Sequence, residues 1–273
     1  MGFIGSGGSV IANFIERRKR YISEIPEKTK NSLSYKLRKI LYPYINYSVT
    51  VQGNLNEKYI ISEKEIDDKV LSGLLDLYYD LYFPSNLDPS KIDTVWDLGA
   101  HHGYYSIRSL YEYPNSKVIS VEPNINSYKV INDEAKLNNV SNRITILNTA
   151  LSDKDEKLKL FLSEKGSWGD SLYLEGDSSK KCFEVDTITF QTLLGHGVPD
   201  IIKCNAEGAE YILIDELEKN DIKPKALILM VHPEFGNPDE LLGKGYFNDY
   251  EKDDTYSTKK RLRYLFTKKI EIN

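Results

Sequence analysis

The sequence predicts an α/β fold built on a doubly wound, mostly parallel sheet, with a helical and hairpin extension ahead of it. Three observations carry this. From residue 92 onward, apolar strand-like runs alternate with helix-like stretches, the signature of βαβ units. Runs such as Lys225–Val231 (KALILMV) are apolar nearly throughout rather than at every second position, as expected of parallel strands covered on both faces. Finally, 273 residues with 40% hydrophobic and 28% charged side chains are enough for a large buried core.

Taken in order, the elements support that reading. The opening MGFIGSGGS is rich in Gly and Ser. Val10, Ile11, Phe14, Ile15, Tyr21, Ile22 and Ile25 then recur at helical spacing, and Leu33, Leu37, Ile40, Leu41 and Tyr44 form a second helical stripe. Both predicted helices are basic; they are read as a cap packed on the body, with a membrane-surface role as the alternative. Residues 47–62 read as a hairpin turning at Gly53-Asn54, and 66–81 as a helix stopped before Pro84. Strands follow in IDTVWD, KVISVE, RITILN, DIIKCN and KALILMV, with helices over 104–112, 126–137 and 208–219 between them. LKLFLS (158–163) and KCFEVD (181–186) are two more strand candidates, joined by a polar loop. The division is thus an extension over 1–90 and a catalytic-type domain over 91–273. The end after 240 is less periodic, and whether it completes a terminal strand pair stays open.

Charge and cysteine content exclude several classes. Residues 1–50 carry about +6 and the rest about −11, so the acidic body argues against nucleic acid as the main partner. The basic start leaves room for peripheral membrane contact. Two cysteines, Cys182 and Cys204, make neither a disulfide framework nor a metal pattern and are expected as buried thiols of a reducing, cytoplasmic protein. No run reaches the roughly 18 apolar residues of a membrane span.

In a doubly wound sheet, ligands bind beyond the carboxyl ends of the strands. The first tip reads Asp97-Leu98-Gly99-Ala100-His101-His102-Gly103, and the second ends at Glu122, placed to accept both hydroxyls of a ribose. The first turn is G-x-x-x-G rather than the G-x-G-x-x-G that a pyrophosphate wants, so a dinucleotide site is disfavoured. A zwitterionic amino-acid tail fits better, with its ammonium at Asp97 and its carboxylate on backbone N–H groups. S-adenosylmethionine combines such a tail with a ribose.

These residues resemble the FkbM-type S-adenosylmethionine-dependent methyltransferases, within the Rossmann-like class I methyltransferase fold. The resemblance spans about residues 92–235 and rests on four blocks: Asp97 to Ser106, Val121-Glu122-Pro123-Asn124, Asn148 to Asp153, and Ile202-Lys203-Cys204-Asn205-Ala206-Glu207-Gly208-Ala209-Glu210. It implies S-adenosylmethionine as cofactor, with Asp97, Gly99 and Ala100 near the methionyl part, Glu122 on the ribose, and Asn148 and Ala150 flanking the adenine. His101, Gly103, Tyr104 and Pro123 complete the implied cofactor set. It also implies O-methylation, often of sugars or polyketide-derived products, so the expected partner is a small-molecule or glycan acceptor. The chain departs from the family pattern in having Asn205 where Asp is usual and His101 where Asn is common. Asn205 offers only a neutral carbonyl, which leaves any divalent-metal requirement open.

A sugar hydroxyl needs a base before it attacks a methyl group. The later strand tips supply Asn205, Glu207, Glu210 and His232. The expected catalytic set is His232, Glu207 and Asn205, with His232 as base because imidazole titrates near neutrality. Glu210, in the first turn of the next helix, is explained equally by the helix dipole. His101 and His102, being adjacent, are expected to point apart. Gly169-Asp170-Ser171-Leu172 spells a hydrolase tetrapeptide without the strand-to-helix turn such a serine needs, and is assigned to chance. Two other readings remain: a binding module of the same fold that lost turnover, and, ranked last, a nucleotide-dependent oxidoreductase.

Overall fold

Strands whose every residue must be buried need cover on both sides, and the chain provides it. The structure, a computed structural model, describes residues 48–53, 55–62, 82–162, 170–172, 181–255, 257 and 262–269. The chain divides into two compact units, Met1–Asp80 and Leu81–Asn273. The helices expected over residues 10–44 and 66–81, and with them the basic surface, lie outside the described residues.

In the first unit, β1 (Ser48–Gln52) and β2 (Lys58–Ser62) pair antiparallel from Ser48↔Ser62 to Gln52↔Lys58, the expected hairpin. Gly53 N–H donates to Glu57 O at 2.8 Å, closing the turn. The Glu57 carboxylate fills the loop, accepting from Leu55 N at 2.7 Å and from the Tyr59 hydroxyl at 3.1 Å. A Cβ at Gly53 would lie 2.1 Å from that carboxylate, so a larger residue there would have to push the Glu57 side chain aside.

The second unit holds a seven-stranded sheet. In chain order its strands are β3 (Thr94–Leu98), β4 (Lys117–Val121), β5 (Ile144–Leu147), β9 (Ile201–Cys204), β10 (Ala226–Val231), β11 (Tyr250–Asp253) and β12 (Leu262–Lys268). Their spatial order is β11-β12-β10-β9-β3-β4-β5. The five from β10 to β5 run parallel, while β12 pairs antiparallel with β10 and β11 with β12. The terminal strand pair that the sequence left open is therefore present. All residues of β9 and β10 are buried, matching their unbroken apolar runs. Helices α1 (Tyr104–Glu112), α2 (Ile125–Leu137) and α4 (Ala209–Lys219) occupy the expected stretches.

Three features depart from the sequence reading or were missed by it. β7 (Lys157–Phe161) and β8 (Cys182–Ile188) form as strands, but with β6 (Ala150–Leu151) they make a separate three-stranded sheet, β6-β8-β7. The short helices α3 (Phe190–Leu194) and α5 (Pro238–Leu242) were not expected; five residues are too few to display a 3.6 period. Cys182 is exposed rather than buried, because it opens the half-solvated strand β8; Cys204 is buried, and burial pushes its thiol up.

Winding reverses between β3 and β9: from β3 the chain proceeds to β4 and β5 on one side, then returns to β9 on the other. That switch point opens a crevice at the carboxyl ends of the strands.

Candidate active site

The crevice is walled by three loops: residues 99–103 after β3, 122–124 after β4, and 205–208 after β9. Gly99, at φ +69°, approaches the third loop so closely that a Cβ would lie 2.1 Å from Asn205 O. Asn205 N–H donates to Leu98 O at 2.9 Å, so the two loops are joined through main chain. His101 (φ +51°) and Glu207 (φ +45°) are non-glycine residues in the left-handed region, a strain that surrounding contacts must hold in place.

A cavity at this point is lined on its polar side by Gly99, His101, Glu122, Asp170, Asn205 and Glu207. Ala150, Leu151, Leu160, Leu172 and Ala209 supply an apolar side, with Pro123, Ser171 and Ala206 completing the wall. Of the residues singled out from sequence, the cavity brings together Gly99, His101, Glu122, Pro123, Ala150, Asn205 and Glu207. Asp97, Ala100, Gly103, Tyr104, Asn148 and His232 do not line it. Residues 170–172, part of the tetrapeptide that the sequence reading assigned to chance, line it as well; they belong to a polar loop whose burial no periodicity announces.

Glu122 accepts from His101 N at 2.7 Å on one oxygen and from Asn124 N at 2.8 Å on the other. Burial drives its pKa from about 4.5 to about 8 despite those two donors, with Asp170 reinforcing the rise and Lys203 opposing it. Asn148 braces this tip from behind, its amide donating to Glu122 O and Pro123 O at 2.9 Å each.

Asp97 sits beneath the cavity floor, wholly buried. It accepts from Lys203 Nζ at 2.8 Å and from Ser106 Oγ at 2.6 Å, while Lys203 also donates to Gly99 O at 2.8 Å. Asp97 and Lys203 are register partners on adjacent strands, which turns both side chains to one face of the sheet. The amides of Gly99 and Ala100 are spent on Val121 O at 3.0 and 3.1 Å, tying the first loop to β4.

The expectation that His101 and His102 point apart is corrected. Their rings stack with centroids 3.8 Å apart and planes 25° from parallel, because the left-handed backbone at His101 breaks the alternation of successive side chains. Burial keeps both imidazoles neutral, pushing His101 well down and His102 to about 4.

At the far end, His232 lies between two carboxylates. Its Nδ1 is 3.0 Å from Glu210 Oε1 and its Nε2 is 3.3 Å from Glu207 Oε1. Glu210, fully buried, also accepts from His232 N at 2.8 Å and from Gly208 N at 2.9 Å. Tyr211 clamps the other side, its hydroxyl donating to His232 O at 3.2 Å. Burial pulls the imidazole pKa down, but Glu207 and Glu210 together outweigh it and raise it to about 10. His232 is therefore an imidazolium at neutral pH rather than the free base the sequence suggested, and of this group only Glu207 reaches the cavity.

A family model, the methyltransferase FkbM domain, matches residues 97–255, which is more than half of the chain and spans all three loops. The chain belongs to the FkbM methyltransferase family. Among solved structures, an FkbM methyltransferase from Methylobacillus flagellatus KT is similar at 16% identity and a TM-score of 0.47, over 74% of this chain and 55% of that one. The StiE O-MT (residues 942–1257) is similar at 15% and 0.41, over 68% and 54%. M. jannaschii TYW2, in complex with AdoMet, is similar at 14% and 0.46, over 82% and 88%. The chain thus spans about half the length of the first two structures. No curated protein matches significantly.

The donor set of the FkbM site matches the parts of its cofactor. Glu122 lines the cavity, and each of its carboxyl oxygens takes one backbone donor and keeps acceptor capacity for a hydroxyl. The Ala150, Leu151, Leu160 and Leu172 side offers an apolar slot for a flat base, and the glycine at 99 leaves room for close approach. These residues fit S-adenosylmethionine. Among the described residues, no group of three or more His, Cys, Asp or Glu side chains is arranged to hold a metal ion.

Proposed function

We propose that this protein transfers the methyl group of S-adenosylmethionine to a hydroxyl of a carbohydrate or glycoconjugate. The observation that supports this most directly is the arrangement of one cavity lined by two carboxyl groups of different kind: Glu122 at the second strand tip, which burial disposes to keep its proton, and Glu207, paired with His232. Bound there, the cofactor supplies an electrophilic methyl group on a sulfonium. The chain supplies everything else. Glu122 would hold the ribose diol, and the apolar slot the adenine.

Methyl transfer is an in-line displacement, so holding the acceptor oxygen near attack distance accounts for much of the acceleration. Removing the hydroxyl proton is the other requirement. His232 already carries a proton, so of the pair it is Glu207, which lines the cavity, that would accept one from the acceptor hydroxyl. His232 then acts on Glu207 by fixing its carboxylate and by offsetting the charge that would otherwise repel a second anion. Asn205, beside them, offers an amide to orient the acceptor.

The test is methyl transfer from labelled cofactor across a panel of mono- and oligosaccharides, read as S-adenosylhomocysteine release. Label appearing on a sugar supports the proposal; tight cofactor binding with no transfer to any hydroxyl overturns it. The second outcome would favour the binding-module reading, for which Asn205 in place of the usual aspartate is the specific reason.

A further inference from the structure

Glu207 stands in the left-handed backbone region, which a non-glycine residue keeps only when its surroundings hold it there, and it is followed by Gly208 at φ +112°. Something must hold it there. The tip of β9 fixes the chain before it, through Asn205 N–H on Leu98 O, and Glu210 fixes the chain after it by accepting from Gly208 N. Between them, the carbonyl of Glu207 itself accepts from Ser171 Oγ at 3.0 Å, a contact across 36 positions of sequence.

Ser171 is itself firmly seated. It is 2% exposed, and it exchanges two main-chain hydrogen bonds with Phe161 at the end of β7, at 3.0 and 3.1 Å. Its neighbour Asp170 accepts from Asn124 Nδ2 at 2.9 Å, which anchors the same short segment to the cap of α2 just past Glu122. The segment 170–172 therefore links the Glu122 tip to the Glu207 loop along the cavity wall, held through Asp170 at one end and through Ser171 in its middle.

We propose that Ser171 is a positioning residue for Glu207: its hydroxyl locks the left-handed turn and thereby aims the Glu207 carboxylate at His232 and at the acceptor. The tetrapeptide that reads as a hydrolase signature by chance thus holds a serine that acts through a neighbour and attacks nothing. The inference rests in part on the methyl-transfer reading, so its test has one arm that needs no turnover.

In that arm the protein is labelled with ¹⁵N-histidine and titrated by NMR. Four histidines are present, and a His232→Gln variant assigns the signal. Among the described residues, the charged and polar groups facing His232 are Glu207 on the loop, and Glu210 and Tyr211 on α4. In Ser171→Ala the Glu207 contact loosens while Glu210 stays, so the His232 midpoint should fall; Ser171→Thr, which keeps the hydroxyl, should hold it near wild type. In the second arm, Ser171→Ala should lower kcat about ten- to hundred-fold with the cofactor Kd within about twofold of wild type. An unmoved His232 midpoint in Ser171→Ala overturns the proposal whatever the protein catalyses. Should the alanine variant fail to fold, Ser171→Cys, with its weaker donor, carries the same comparison. No methyl transfer by the wild-type protein, with the His232 midpoint still falling in Ser171→Ala, would refute the function and leave the positioning role standing.

Discussion

Glu122 concentrates the energetics of the site in one side chain. Its folded pKa of about 8 lies above the ordinary value of about 4.5, so the folded state holds the proton more tightly than the unfolded one. Stability must then fall as pH rises from about 4.5 to about 8 and level off beyond, by an amount on the order of a few kcal/mol. Glu122→Gln should flatten that slope in urea unfolding followed from pH 4 to 9. It should also lower stability at acid pH by about 1–3 kcal/mol, because an amide cannot accept from both His101 N and Asn124 N. His232 gives a second window with its own limits: its contribution is complete below about 6.5 and is lost as pH rises through about 10. Glu207→Gln should move that window down, and the same NMR titration checks it. Residue types at strand tips were legible in the sequence, since glycines and carboxylates there have few other uses. Pairings across strands were not: nothing in the order of residues says that Lys203 meets Asp97, or that His232 finds two carboxylates instead of water.

At the scale of elements, the parallel strands were readable because burial on both faces leaves an unbroken apolar run, and the long helices because two or more turns display their period. β6, with two residues, and α3, with five, are below what any pattern can register. Their existence depends on partners: β6 on β8, and α3 on Thr189, which caps it and is held by Asp155. A more instructive case is Arg143, before β5. Its guanidinium donates to Ser116 O, Leu110 O and Tyr113 O at 3.0, 3.0 and 2.9 Å, closing the end of α1 against the sheet. An ammonium cannot reproduce that planar fork. Arg143→Lys should therefore cost about 1–2 kcal/mol, measured by chemical denaturation, with the cofactor site unaffected. Gly99→Ala should do the opposite kind of damage, since a methyl group there collides with main chain that cannot yield. Cofactor affinity should fall by tenfold or more, read by calorimetry, along with about 1–3 kcal/mol of stability from the left-handed backbone.

For the whole molecule, ligand binding and folding are a single equilibrium. A cofactor that binds only the native state stabilises it by about 2.7 kcal/mol at a hundredfold excess over Kd. Thermal unfolding should therefore shift upward with S-adenosylmethionine and stay put with NAD. A shift with NAD alone would restore the oxidoreductase reading.

The ion pair beneath the cavity floor has one more implication. Asp97 and Lys203 sit on the two central strands where the winding turns back, and both are nearly sealed from water, at 0% and 9% exposure. Losing one partner of such a pair strands a charge in the interior, at a cost of about 3–5 kcal/mol, whereas exchanging both for well-packed apolar residues is often neutral. Mutational drift at this seam must therefore proceed by double steps. Laboratory selection for stability should recover the two positions changed together or unchanged, and a sheet carrying only one of the changes should be rescued by the other.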